Sequence, residues 1–276
     1  MTSAFDKFEF FPQTTEADWA PYLGDLAAIG GYDPASGALL FPLQTYVVRT
    51  PHHTILIDTC IGNHKRLARR PDWHQRNDQT YLRALAAQGV APEDVDFVMC
   101  THLHADHVGW NTRWKDGRWV PTFPNARYVM SEKELAHFQA DGEPPTPIVE
   151  SVLPVVAAGQ AHLVDSDFSL DDTVSLQPTP GHTPGHFAVV LQSGAKRAVM
   201  TGDMMHTPVQ CHHPEWAARP DWDPAMASAT RKGFLERYCE TDTLVCTAHF
   251  PAPSVGRIVR VGDGFAFRYP EADKGR

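Results

Sequence analysis

A chain of 276 residues can bury one sizeable core, and it is read here as a single domain over 1–276. A formal charge of −9 argues against nucleic acid or an anionic membrane as partner, because both want a basic face. No stretch approaches the roughly 18 apolar residues of a membrane helix.

The first eleven residues mix charge with Phe5, Phe8, Phe10 and Phe11 and lack the apolar run of a signal peptide. Five cysteines, an odd number with no CxxC pair, suit a reducing compartment, so a cytoplasmic location is expected. Residues 1–43 are read as an N-terminal extension that covers the site or a subunit contact, an arrangement compatible with a homodimer.

Gln44 to Arg49 and Thr54 to Asp58 read as paired strands around Pro51, and Asp78 to Gln88 as a helix stopped by Gly89. Asp96 to Thr101 is a short buried strand that runs into Thr101-His102-Leu103-His104-Ala105-Asp106-His107. Arg127 to Met130 is a further strand. Ser131-Glu132-Lys133-Glu134 then has the form of a capping box that opens a helix to Gln139. Glu143-Pro144-Pro145-Thr146-Pro147 reads as a surface connection.

Ala161 to Val164 and Thr173 to Leu176 are the next strands, followed by a hairpin of His186 to Gln192 with Arg197 to Thr201 around Ser193-Gly194. Ala225 to Cys239 is helical and Thr243 to Thr247 a buried strand. Arg257 to Val261 and Phe265 to Tyr269 close a last hairpin around Gly262-Asp263-Gly264. Strands that arrive in pairs with helices between them predict an α/β fold, a four-layer αββα sandwich of two mixed sheets with helices outside.

The chemistry concentrates after the strand at 96–101. His102 and His104, two apart in extended chain, point to one side and can chelate one divalent ion. Asp106 and His107 continue the turn and can face a second. Three later segments each bring one ligand type to a strand end: His182 in Thr179-Pro180-Gly181-His182-Thr183-Pro184-Gly185-His186, Asp203 after Thr201-Gly202, and His249 after Thr247-Ala248. Gly or Ala before each leaves room for close approach. Nitrogen and carboxylate without thiolate suit Zn, Mn, Fe or Co in their divalent states.

This HxHxDH pattern, followed by a single His, a single Asp and a final His, resembles the metallo-β-lactamase superfamily from roughly Gln44 to Phe267. The resemblance implies the αββα sandwich and two Zn2+ ions, with Mn2+, Fe2+ or Co2+ as substitutes. It assigns His102, His104 and His182 to the first metal, Asp106, His107 and His249 to the second, and Asp203 to both. Asp58 matches the family's buried aspartate that braces the His loop. Two metals roughly 3.5–4 Å apart would lower the pKa of a shared water from about 15.7 to about 7, giving a bridging hydroxide for hydrolysis. Asp106 and Asp203 are the catalytic carboxylates in this reading, with Asp106 also a proton shuttle to the leaving oxygen.

Gly202-Asp203-Met204-Met205-His206 and Val108-Gly109-Trp110-Asn111 look closest to the branch of quorum-quenching lactonases and methyl parathion hydrolase-like enzymes. A small organic lactone or related ester, of the acyl-homoserine-lactone type, is therefore the expected substrate. An organophosphate triester or a glyoxalase II-like thioester is the alternative, and a non-catalytic metal-binding module the alternative of another class. Trp110, Met205, His206 and Trp216 are candidate substrate contacts, His206 also an orienting residue beside the metal. Trp114, Trp119, Phe123 and Trp222 add aromatic surface to the same loops, and Cys211-His212-His213 is a weaker candidate for a further metal site.

Overall fold

Short runs of β-branched and large apolar side chains become buried strands, and the computed structural model describes them within residues 1–140, 142–165 and 167–270. The chain divides into two compact units, Met1–Leu43 with Asp167–Arg276, and Gln44–Ser166.

The unit Gln44–Ser166 is built on a five-stranded mixed sheet. Ala161–Val164, Arg127–Ser131, Phe97–Met99 and Thr54–Ile57 run parallel in that order, and Tyr46–Arg49 closes the edge antiparallel. Leu56, Val98, Tyr128 and Met130 pack against Leu85 of the helix Thr80–Ala87, Leu135 of Glu132–Ala140, and Ile148, Val152 and Val155. Each such side chain contributes roughly 1.5–3 kcal/mol on burial.

The parallel strands Thr54–Ile57 and Phe97–Met99 end side by side, and their C-terminal loops cross at close range. Thr59 N–H donates to the carbonyl of His107 (2.6 Å), Gly109 N–H to that of Cys60 (2.7 Å) and Trp110 N–H to that of Thr59 (2.9 Å). A Cβ on Gly109 would stand 1.8 Å from the carbonyl carbon and oxygen of Ile61. Glycine is a steric requirement there.

Below this crossing lies a buried lysine. Lys65 Nζ donates to Thr112 Oγ1 (2.6 Å) and to the Glu150 carbonyl (3.1 Å), and sits 3.6 Å over the Trp119 ring. Burial pushes its ammonium down to about 7, against an opposing pull from Glu150. The unfolded chain keeps this proton to about pH 10.4 while the folded chain releases it near 7, so Lys65 makes stability rise with pH across that window. Urea denaturation at pH 6.5, 8 and 9.5 is expected to show wild type gaining on Lys65→Met as pH rises. A constant difference between the two would refute the assignment.

The other unit carries a six-stranded mixed sheet in the order Val174–Pro178, Phe187–Ser193, Lys196–Met200, Leu244–Cys246, Val255–Val261 and Gly264–Arg268. Only the pairing of Lys196–Met200 with Leu244–Cys246 is parallel. The helix Pro224–Tyr238, capped by Asp223, lays Phe234, Leu235 and Tyr238 into a core with Val190, Val199, Val245 and Ile258. Residues 1–43 supply a three-stranded sheet of Thr2–Asp6, Ala38–Pro42 and Tyr32–Asp33. Phe11, Trp19, Leu26, Leu39 and Phe41 form an apolar cluster with Val209, Trp216 and Ala218 of the same unit.

The expected α/β class and the two mixed sheets are present, and the predicted strands and helices recur within a few residues of their expected bounds. Three features differ from the sequence reading. The strands of residues 1–43 lacked a clear alternation. The segment after the His loop forms a hairpin of Thr112–Lys115 with Arg118–Pro121. The Pro-rich connection leads directly into the helix Thr146–Ser151, where Pro147 occupies a first-turn position that needs no N–H donor. Among the described residues no helix is long and apolar enough to cross a membrane.

Candidate metal centre

In the unit Gln44–Ser166, the site begins at Asp58, held at φ +57° just past a buried strand and almost fully buried itself. Its carboxylate accepts from Thr101 N–H (2.8 Å), Thr101 Oγ1 (2.9 Å) and His107 Nδ1 (2.9 Å). Because the Thr101 hydroxyl spends its hydrogen on Asp58, its oxygen accepts from His102 Nδ1 at 3.1 Å. Leu103 N–H donates to the buried Glu134 carboxylate at 3.3 Å. The His102 ring lies 4.6 Å from that of His104 and 4.1 Å from that of His107. His102 and His104 bring ligand nitrogens within 4.8 Å of each other, and so do the ligand atoms of Asp106 and His107.

The other unit holds His182, Asp203 and His249. Gly181, at φ +132°, turns the chain where a Cβ would fall 2.3 Å from the Ala227 nitrogen. His182 Nδ1 donates to Asp221 Oδ1 at 2.8 Å, and Ala218 N–H donates to Asp221 Oδ2 at 2.9 Å. Burial pushes the Asp221 carboxyl up, but the hydrogen bond from His182 and the guanidinium of Arg231 outweigh it and hold the carboxyl low. Arg231, fully buried, stands 3.6 Å from Asp221. It donates to the carbonyls of Met204 (2.9 Å), Pro214 (2.6 Å) and Trp216 (3.0 Å).

Asp203 is fixed through its backbone, which donates to His186 Nε2 at 3.0 Å. His186 must therefore carry its proton on Nδ1, which faces Thr179 Oγ1 at 2.7 Å. His249 Nδ1 donates to the Pro42 carbonyl at 3.0 Å, and its Nε2 lies 3.0 Å from Asp203 Oδ1. His206 Nε2 stands 3.3 Å from Asp203 Oδ2, with its ring stacked on His249 and edge-on to Phe10. Burial pushes its imidazole down to about 4 despite Asp203, so it stays neutral at physiological pH.

The proton inventory tests whether these residues suit a cation. Asp58, Asp221 and the Pro42 carbonyl can only accept, so His107, His182 and His249 each keep a proton on Nδ1. As neutral rings they present Nε2 lone pairs. Those of His182 and His249 meet Asp203 at 3.5 and 3.0 Å, and that of His107 meets Asp106 at 3.7 Å. Two electron-rich groups at that range repel unless a positive charge lies between them, which either a proton on Nε2 or a metal ion supplies. Nitrogen and carboxylate donors oriented by a carboxylate or carbonyl on the far ring atom fit a borderline divalent metal.

The remaining predicted residues fall elsewhere in their units. Trp110 is buried, stacked face to face on Tyr81 at 5.2 Å. Met205 is fully buried in the core around Phe234 and Ile258. Trp216 packs on Trp19 at 5.0 Å and carries the His213 ring at 4.4 Å. Cys211 turns into that core, and burial pushes its thiol up to about 12. His213 bonds Tyr22 (2.8 Å) and Glu215 (3.1 Å), so Cys211, His212 and His213 do not converge as ligands. Trp114 and Trp222 are exposed.

Sequence reading missed Asp221, Arg231, Glu134 and the bracing role of His186. His186 sat in plain view in the repeated Thr-Pro-Gly-His. Asp221 and Arg231 carried no signal, because their partners lie 39 and 27 residues away.

The chain belongs to the metallo-beta-lactamase superfamily, whose family description matches residues 40–249. Among its relatives, the probable metallo-hydrolase YybB of Bacillus subtilis (strain 168) is 28% identical over 181 residues, 64% of this chain and 68% of that protein. The N-acyl homoserine lactonase AttM of Agrobacterium fabrum is 28% identical over 183 residues, 63% of this chain and 65% of that one. The chain spans between 39% and 68% of the length of the first curated relatives it matches. Among solved structures, AidC, described as a dizinc quorum-quenching lactonase in complex with a product, N-hexnoyl-L-homoserine, aligns with a TM-score of 0.77 at 23% identity. That alignment covers 98% of this chain and 92% of AidC, a likeness of fold.

Proposed function

We propose that the chain hydrolyses a lactone or related ester with two divalent metal ions, zinc by preference, the acyl-homoserine-lactone type being the favoured substrate. His102, His104 and His182 hold one ion, Asp106, His107 and His249 the other, and Asp203 both. The observation that carries this reading is the ring-by-ring proton inventory. The outer nitrogens of His102, His107, His182 and His249 are already engaged by Thr101, Asp58, Asp221 and the Pro42 carbonyl, which leaves each Nε2 lone pair for a metal.

Bound there, the ions would supply an activated water near neutral pH and polarise the substrate carbonyl. The chain's own part is orientation and proton handling. Asp58 and Asp221 fix the tautomers of His107 and His182, and the His186 bond to the Asp203 backbone fixes the position of that carboxylate. Asp106, half-buried beside His107, would take the proton released by the attacking water and pass it to the leaving oxygen as the ring opens. Met205 and Trp216 are packed in apolar clusters. The lactone is favoured because the relative AttM is an N-acyl homoserine lactonase and AidC, which has the same fold, is a quorum-quenching lactonase. A cytoplasmic setting fits five cysteines that are all free thiols.

The test is a substrate panel beside metal quantitation. N-hexanoyl-homoserine lactone, an aryl lactone, paraoxon and a glutathione thioester are compared on protein loaded with zinc. The expected result is about two ions per chain and a kcat/KM for a lactone at least about tenfold above the others. Fewer than one ion per chain would favour a degenerate binding module. Faster paraoxon or thioester turnover would move the proposal to that substrate.

A further inference from the structure

The hairpin of Thr112–Lys115 and Arg118–Pro121 lies outside the proposed catalytic set, and its two faces differ sharply in charge. Side chains alternate across a strand, so Arg113 and Lys115 share a face with their cross-strand partners Val120 and Arg118. The opposite face carries Thr112, Trp114 and Trp119. The cationic face lines an open cavity of about 300 Å³, completed by Asp116, Pro121, Pro124 and Gln160.

Three features mark it as a prepared site. First, Lys115 and Arg118 are directly opposite each other, a like-charge pair that destabilises a hairpin by itself. Among the described residues neither they nor Arg113 form an ion pair. Second, Arg113 Nε is buried and finds no hydrogen-bond partner among the described residues. Third, the wall opposite is rigid, because the Gln160 amide donates to three carbonyls, of Phe123 (3.0 Å), Pro124 (3.2 Å) and Ala126 (2.8 Å). Three cations against the single carboxylate of Asp116 leave this cavity positive in a chain of net charge −9.

We propose that this cavity binds a phosphoryl group, either free inorganic phosphate or the phosphate of a small organic monoester. Arg113 and Arg118 donate to its oxygens in forked pairs, and Lys115 adds a point charge. Binding relieves the Lys115–Arg118 repulsion, so occupancy stabilises the unit that carries the His loop. Phosphate binding at this cavity does not depend on which substrate the His and Asp centre takes.

Thermal unfolding is followed in inorganic phosphate and in phenyl phosphate, against sodium chloride at equal ionic strength. Wild type is expected to gain about 2–4 °C over chloride at millimolar phosphate. R113Q/R118Q is expected to lose that gain, while Arg83→Gln, on the helix Thr80–Ala87, keeps it. A larger gain with phenyl phosphate assigns an organic ester, and equal gains assign free phosphate. No gain over chloride in wild type overturns the proposal. So does a gain that survives in R113Q/R118Q, which would place the anion at the His and Asp centre. Should the double variant fold poorly, R118Q alone, at an exposed strand position, must weaken phosphate binding by about tenfold.

Discussion

Asp203→Asn is expected to lower kcat on the best lactone by about a thousandfold or more, equivalent to roughly 4 kcal/mol of barrier, with the fold intact. The change is nearly isosteric and spares the backbone N–H that bonds His186, so position is kept while charge is lost. Asn also offers an N–H donor to the Nε2 atoms that face Asp203, at 3.0 Å for His249 and 3.5 Å for His182. The rings would then be satisfied without metal. Turnover, metal content and the thermal melt of Asp203→Asn and His104→Ala are to be measured together. Turnover that persists in either variant at wild-type rates would refute the ligand assignment.

The second large effect is expected at Arg231. Arg231→Met leaves the Asp221 carboxylate buried beside His182 and strips donors from the carbonyls of Met204, Pro214 and Trp216. Breaking a buried pair on one side costs about 3–5 kcal/mol, a large share of the stability of a typical domain. Asp221→Asn with Arg231→Met removes both charges and is expected to recover part of the loss. Asp221→Asn alone leaves Arg231 on its three carbonyls and should weaken zinc binding by about 10–100-fold in a chelator competition, because His182 loses the charged acceptor that orients it. Equal zinc affinity in Asp221→Asn and wild type would confine the pair to a structural role.

What was legible in the sequence was what is local. The strand Phe97–Met99 and the ligand types that follow it are written in consecutive residues, and the Val, Ile and Leu runs locate the sheets. The braces were not legible, since Asp221 and Arg231 resemble any surface Asp and Arg until the chain folds back on itself. Trp110, Met205 and Trp216 were read as candidate substrate contacts from their place in the chain near ligands; in the fold they pack on Tyr81, on Phe234 and on Trp19. The hairpin after the His loop escaped because its strands are only four residues each, too short for the alternation of tryptophan and cation to stand out.

The close crossing at Gly109 bears on how this scaffold can be redesigned. Loop libraries that seek new substrates normally randomise the stretch after a metal-binding motif. Here a methyl group at position 109 would overlap the Ile61 carbonyl, and three backbone hydrogen bonds set the spacing of residues 107–110 against 59–60. Useful diversity therefore starts beyond Asn111, in the hairpin and its turn, where length and sequence can drift without disturbing Asp58 or the rings it steers. Residues 58–62 and 107–110 form one interlocked cassette, to be transplanted whole or left alone.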